Sequence, residues 1–169
     1  MADENDGRTF EELYAQGSQL LHRNEAKQAV ELLKKAYELG PDHVDAAINL
    51  GGAYILSGRF RSAAKVLEGA VGVDPENPIA WTNLGAAYLG NPVLARDDEQ
   101  LKAIAAFTRA LELRPASPSV AYNIGLIYRD RMEWKEAEYW FREAIKTNPK
   151  DRDAISLFEK MIAIQRESE

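Results

Sequence analysis

Four glycines and four prolines mark out one period along this chain. Gly17, Gly51, Gly85 and Gly125 are separated by 34, 34 and 40 residues, and Pro41, Pro75, Pro115 and Pro149 by 34, 40 and 34. Such self-similarity constrains a fold more than local propensity does, because a unit of roughly 20 to 50 residues cannot bury its own apolar face and must stack on the next. Each glycine sits in a row with helical i, i+3, i+4, i+7 spacing. The rows are Leu13, Gln16, Gly17, Leu20; Ala47, Leu50, Gly51, Tyr54; Trp81, Leu84, Gly85, Tyr88; and Ala121, Ile124, Gly125, Tyr128. A second row follows in each unit: Ala29, Leu33, Ala36; Ala63, Leu67, Ala70; Ala103, Phe107, Ala110; and Ala137, Phe141, Ala144. Each unit is therefore expected to be two helices and a turn, closed by its proline.

The second, third and fourth units resemble tetratricopeptide repeats, whose pattern is W-x2-L-G-x2-Y, then A-x3-F, then P. The stretch WTNLGAAY, residues 81–88, matches the first part residue for residue. The resemblance covers about residues 10 to 151 and implies an all-α fold, a right-handed α-solenoid of helix-turn-helix repeats. Residues 1–9 are expected to be a disordered tail, 10–43, 44–77, 78–117 and 118–151 the four repeats, and 152–169 a C-terminal capping helix. The first copy departs from the pattern with Gln16 where the others carry Leu or Ile. In the last helix Ile155, Phe158 and Ile162 continue the row, but Glu159 replaces the glycine, and no second helix follows for it to obstruct.

Asn77, Ser117 and Asp151 stand at equivalent places before new helices, two of them followed by Pro78 and Pro118, as N-caps should be. His43 takes that place once and is expected to be a turn residue rather than a ligand. The third unit is the odd one. From Tyr88 to Ala103 is 15 residues, against 9 in the other units, so six residues are inserted between its helices. Either a loop projects there, or the second helix begins early at Pro92; Asp97-Asp98 reads as a cap for the helical row that starts just after it.

Composition excludes several classes of function. There is no cysteine and there are two histidines, so disulfides, thiolate metal sites and a histidine-rich metal centre are not expected. A formal charge of −6 argues against holding nucleic acid or an anionic membrane, which needs a basic face. No apolar run approaches the roughly 18 residues of a membrane span, and the polar start lacks a leader pattern. A cytoplasmic compartment is expected. No nucleophile with its base, metal cluster or cofactor loop is visible, so the chain is not expected to be an enzyme or to carry a cofactor. Gly85 and Gly90 are spaced like a phosphate loop, but Asn91-Pro92 follows where Lys-Ser/Thr is needed.

Glycine inside a helix costs about 1 kcal/mol relative to alanine, so the pair Gly51-Gly52 needs a reason. A side chain at Gly51 would point at the second helix of its own unit, where the small Ala63 also sits. Asn49, Asn83 and Asn123 each precede a glycine by two and face away from that partner, so stacking sets them in a line. A primary amide offers donors and an acceptor suited to the backbone of an extended peptide. The arrangement is similar to the asparagine ladder lining the repeat domain of O-GlcNAc transferases, where the ladder holds peptide backbone; the alternative is that each amide bonds a neighbouring helix. Tyr14, Ser18, Gly52, Leu56, Ala86, Tyr122, Leu126 and Arg129 complete this candidate peptide-binding groove. Relatives that bind the acidic tails of chaperones use a Lys, Asn and Arg clamp here. In this chain only Arg129 and His22 carry that character, opposed by Glu11, Asp45 and Asp130, so the expected partner is another protein or peptide offering an extended neutral or apolar segment. Self-association through the terminal helix, or a chaperone-like role toward an unfolded client, stays open.

Overall fold

The computed structural model describes residues 7–167, which are helical apart from turns and connecting loops. The described residues contain α1 (Phe10–His22), α2 (Ala26–Leu39), α3 (Val44–Leu56), α4 (Phe60–Val73), α5 (Pro78–Leu89), α6 (Asp97–Leu113), α7 (Pro118–Asp130), α8 (Trp134–Thr147) and α9 (Arg152–Glu167), with no strand among them. Helix pairs α1/α2, α3/α4, α5/α6 and α7/α8 form antiparallel hairpins, and α9 packs on α8. The tail expected at 1–9 falls largely outside the described residues, and Thr9 is the N-cap of α1. Its hydroxyl accepts the Glu12 N–H at 3.3 Å while its own N–H donates to the Glu12 carboxylate at 2.9 Å, a reciprocal capping box.

The other inter-repeat starts differ in their chemistry. Asn77 accepts from the N–H groups of Ile79 and Ala80, and Asp151 from those of Asp153 and Ala154, each at 3.0 to 3.1 Å. Ser117 makes no side-chain cap bond, contrary to the expectation for its position. His43 is the N-cap of α3 without a side-chain bond, and its ring stacks on Phe10 with centroids 4.3 Å apart. Inside three of the repeats, one residue in the left-handed region turns the chain between helices: Asn24 (φ 62), Gly58 (φ 74) and Met132 (φ 59).

The glycine rows do what their spacing implies. A Cβ on Gly51 would meet Leu67 of α4, the second helix of its own unit, one turn beyond Ala63. Ala63 is itself fully buried. A second buried row escaped the sequence reading. Ala46, Ala80, Val120 and Ala154, with Ala53, Ala87, Ile127 and Met161, are buried. In the later units Val120 and Ile127 pack against α6, and Ala154 and Met161 against α8. The equivalent residues of α1, Glu12 and Gln19, are exposed; among the described residues no helix packs on that side of α1. In α9 this row therefore carries the burial, while Ile155 and Ile162 remain partly exposed.

The insertion resolves into a loop and a longer helix. Residues 90–96 form the loop, and α6 runs 17 residues where α2, α4 and α8 run 14. Helix α6 does not start at Pro92. Nor do Asp97 and Asp98 cap it: Arg96 is the N-cap, its N–H donating to Glu99 at 2.9 Å, and both aspartates lie in the first turn, where negative charge suits the helix dipole. Asp97 accepts a bond from Arg131, which also bonds Glu133 at 2.6 Å and Gln100 at 3.3 Å, tying the insertion to the fourth repeat.

Candidate polypeptide-binding face

The first helices α1, α3, α5 and α7 carry the asparagine row. All three amides belong to half-buried residues, and their surroundings differ in a way the sequence explains. Asn49 Nδ2 donates to Ser18 Oγ at 3.0 Å and lies 3.3 Å from the Tyr14 hydroxyl, both on the preceding first helix. For Asn49 the neighbouring-helix alternative is thus the observed one. At Asn83 the positions equivalent to Tyr14 and Ser18 are Ile48 and Gly52, neither of which has a polar side chain. A Cβ on Gly52 would sit 3.9 Å from Asn83 Nδ2, so the amide lies over the bare glycine. At Asn123 the equivalents are Thr82, whose hydroxyl donates to the Pro78 carbonyl at 2.8 Å, and Ala86. Among the described residues the Asn83 and Asn123 amides have no hydrogen-bond partner, and no buried side-chain polar atom is left unsatisfied, so these amides reach solvent.

The remaining candidate residues fall into two groups. Leu56 on α3 is 59% exposed, and Ile79 on α5 is 47% exposed, apolar surface carried by the same first helices as Asn49 and Asn83. Tyr122 and Leu126 instead pack against the cluster of Ala137, Phe141 and Met161, with the Tyr122 and Phe141 rings 5.7 Å apart. Burial, then Asp153 and Asp151, raise the Tyr122 pKa. Arg129 donates from Nε and Nη2 to Asp130 at 2.8 and 2.6 Å, so its charge is met within the helix. His22 Nδ1 lies 2.7 Å from the Ser18 carbonyl oxygen. Of the aromatic cluster in α8, Trp134 and Trp140 pack against buried residues, and Tyr139 stands half-exposed, edge-on to Trp140 at 5.3 Å. Among the described residues no group of three His, Cys, Asp or Glu is placed to hold a metal. No described helix is long and apolar enough to cross a membrane.

Comparison with known proteins agrees with the geometry. Family profiles described as tetratricopeptide repeat match residues 20–88 and 101–152. The chain belongs to the tetratricopeptide-repeat family. No curated protein sequence matches it. Among solved structures it is similar to residues 41 to the end of MamA from Desulfovibrio magneticus RS-1, with 25% identity, a TM-score of 0.74, and coverage of 85% of this chain and 77% of that one. A second MamA structure, 22% identical, gives a TM-score of 0.75 over 95% of this chain and 90% of the other. TTC0263, a thermophilic repeat protein of Thermus thermophilus, gives 0.71 at 22% identity, covering 95% and 84%. At 22% these two likenesses speak for the fold alone. Tetratricopeptide repeats are in general non-catalytic modules for protein interaction, and the coarse function of this chain is that of a protein–protein interaction scaffold.

Proposed function

We propose that the concave face of the repeat array grips an extended, neutral or apolar polypeptide segment, with Asn83 and Asn123 holding its backbone. The observation that supports this reading is the pair of unpartnered, half-buried amides: before Asn83 the positions of Tyr14 and Ser18 carry no hydroxyl, and before Asn123 the one hydroxyl, Thr82, bonds the Pro78 carbonyl and not the amide. An extended segment brings alternating C=O and N–H groups that one amide can satisfy together. Leu56 and Ile79 supply apolar contact, and the internal pairing of Arg129 with Asp130 leaves little attraction for a carboxylate terminus.

The asparagines should therefore divide by function. Asn83→Ala and Asn123→Ala are expected to weaken capture of a neutral extended peptide, selected from a displayed random library, by about tenfold each, the cost of about one to two backbone hydrogen bonds. Asn49→Ala is expected to act on stability instead, by roughly 0.5–1.5 kcal/mol for its lost bond to Ser18. Fluorescence anisotropy and urea denaturation read the two effects. Equal affinity in Asn83→Ala, Asn123→Ala and the parent protein would remove the ladder from the mechanism.

A further inference from the structure

The insertion in the third repeat opens a second recess, of about 580 Å³, that none of the three asparagines lines. It lies between the start of α4 and the loop 90–96. Phe60, Ala64 and Leu94 contribute its apolar wall, and Arg59, Arg61 and Lys102 its positive charge. Two carboxylates line it, Asp98 and Glu99, and both face Arg96 at 3.5 and 3.3 Å, so that third guanidinium is already matched. Among the described residues Arg59, Arg61 and Lys102 make no ion pair; Arg59 lies over the Tyr54 ring and Lys102 over the Tyr88 ring, at 5.4 and 5.8 Å. Arg61 is near enough to Glu99 to help lower the pKa of that carboxyl, yet the cleft still sets four cations, Arg59, Arg61, Arg96 and Lys102, against two carboxylates in a chain of formal charge −6.

Apolar surface accompanies the charge. Val93 and Leu94 on the insertion are 90% and 75% exposed. A neighbouring recess of about 510 Å³ shares Tyr88 and Lys102 with the first and continues along α6 past Ala105 to Arg109, floored by Trp81. Charge complementarity and this aliphatic rim together select the occupant. A long polyanion such as nucleic acid would leave the exposed aliphatics Val93 and Leu94 unmatched.

We propose that the groove between α4 and α6 is a docking surface for an acidic polypeptide segment that also carries aliphatic side chains, its carboxylates meeting Arg59, Arg61 and Lys102. This surface is separate from the asparagine face, so two partners, or two parts of one, bind at once.

The test is fluorescence anisotropy with a short labelled peptide of alternating glutamate and leucine, set against its glutamine and leucine twin. The acidic peptide is expected to bind about tenfold or more tightly than the amide twin, with affinity falling as salt rises. Arg61→Glu combined with Lys102→Glu is expected to abolish that preference, and Leu94→Ser to weaken both peptides alike. Should the double reversal not fold, as judged by circular dichroism, Arg61→Gln with Lys102→Gln is read instead. Asn83→Ala should leave this binding unchanged, which keeps the result apart from the fate of the concave-face reading. The proposal is overturned if the two peptides bind equally, if the folded charge variants bind the acidic peptide like the parent, or if a single-stranded oligonucleotide binds here in preference to it.

Discussion

A Cβ built on Gly51 would stand 2.6 Å from Cγ of Leu67, a separation no real pair of carbons tolerates. The leucine is completely buried and cannot swing aside, so any side chain at position 51 must pry α3 from α4. On Gly52 the same atom would find nothing nearer than 3.9 Å. Adjacent glycines therefore answer to opposite rules. Gly51→Ala is expected to destabilise the fold by about 1–3 kcal/mol through overpacking, while Gly52→Ala is expected to stabilise it by roughly 0.5–1 kcal/mol through helix propensity. Urea midpoints of the two variants check this, and equal shifts would contradict the packing account.

Much of the array was legible because period and register are properties of the chain alone: the glycine rows, the antiparallel pairs and the place of the insertion all derive from spacing. The features that escaped depend on neighbours that spacing does not name. The Ala46 and Ala53 row was missed because its burial arises between repeats, yet the contrast with Glu12 and Gln19 in the first unit was a usable signal. Asp97 reads as a cap until Arg131, 34 residues on, claims its carboxylate. In the asparagine row the residue type repeats, but its bonding is decided one repeat upstream, where Ser18 gives way to Gly52 and Ala86.

Tyr88 ties α5 to α4, its hydroxyl donating to Glu68 at 2.8 Å. Burial first, then this bond and the carboxylate's charge, push its pKa from the ordinary 10.0 up to about 12. Between those values the folded chain keeps a proton that the unfolded chain has released. The contribution is therefore complete below the unfolded pKa and is lost as pH rises through the folded one. Tyr88→Phe should flatten the fall of stability over that alkaline range, and its absence from the ultraviolet phenolate titration should remove the latest-titrating component. Loss of a component near the ordinary tyrosine value instead would mean that Tyr88 ionises like an exposed tyrosine.

Met132 holds the turn between α7 and α8 with φ at 59°, where the equivalent turn between α3 and α4 uses Gly58. Its side chain is 70% exposed, so it gains little from packing. A left-handed conformation costs a residue with a Cβ about 1–2 kcal/mol, part of which glycine returns as extra freedom in the unfolded chain. Met132→Gly is expected to raise stability by roughly 0.5–1 kcal/mol by thermal denaturation. A loss of stability would show that the methionine contributes contacts beyond its backbone geometry.

The junction between the third and fourth repeats is the loosest in the array, and the turn that spans it lacks a closing bond that its counterparts make. In the turns beginning at Gly40, Asp74 and Asn148, the N–H three residues on donates back to the first carbonyl, at 3.1, 3.3 and 3.1 Å. In the turn Arg114-Pro115-Ala116-Ser117 no such bond forms among the described residues, α5 and α7 hardly meet, and a cleft of about 300 Å³ lies between Ile79, Thr82 and Val120. Asp74 shows what arginine lacks: its carboxylate accepts the Glu76 N–H at 3.2 Å and the Asn77 amide at 3.2 Å, a local brace favoured at the first position of such turns. Arg114→Asp is expected to install that brace, slow hydrogen exchange at the Ser117 amide, and narrow the cleft, with a gain of roughly 0.5–1 kcal/mol. If the Ser117 amide exchanges as fast as before, the openness of this junction belongs to the packing of α6 on α7 rather than to the turn.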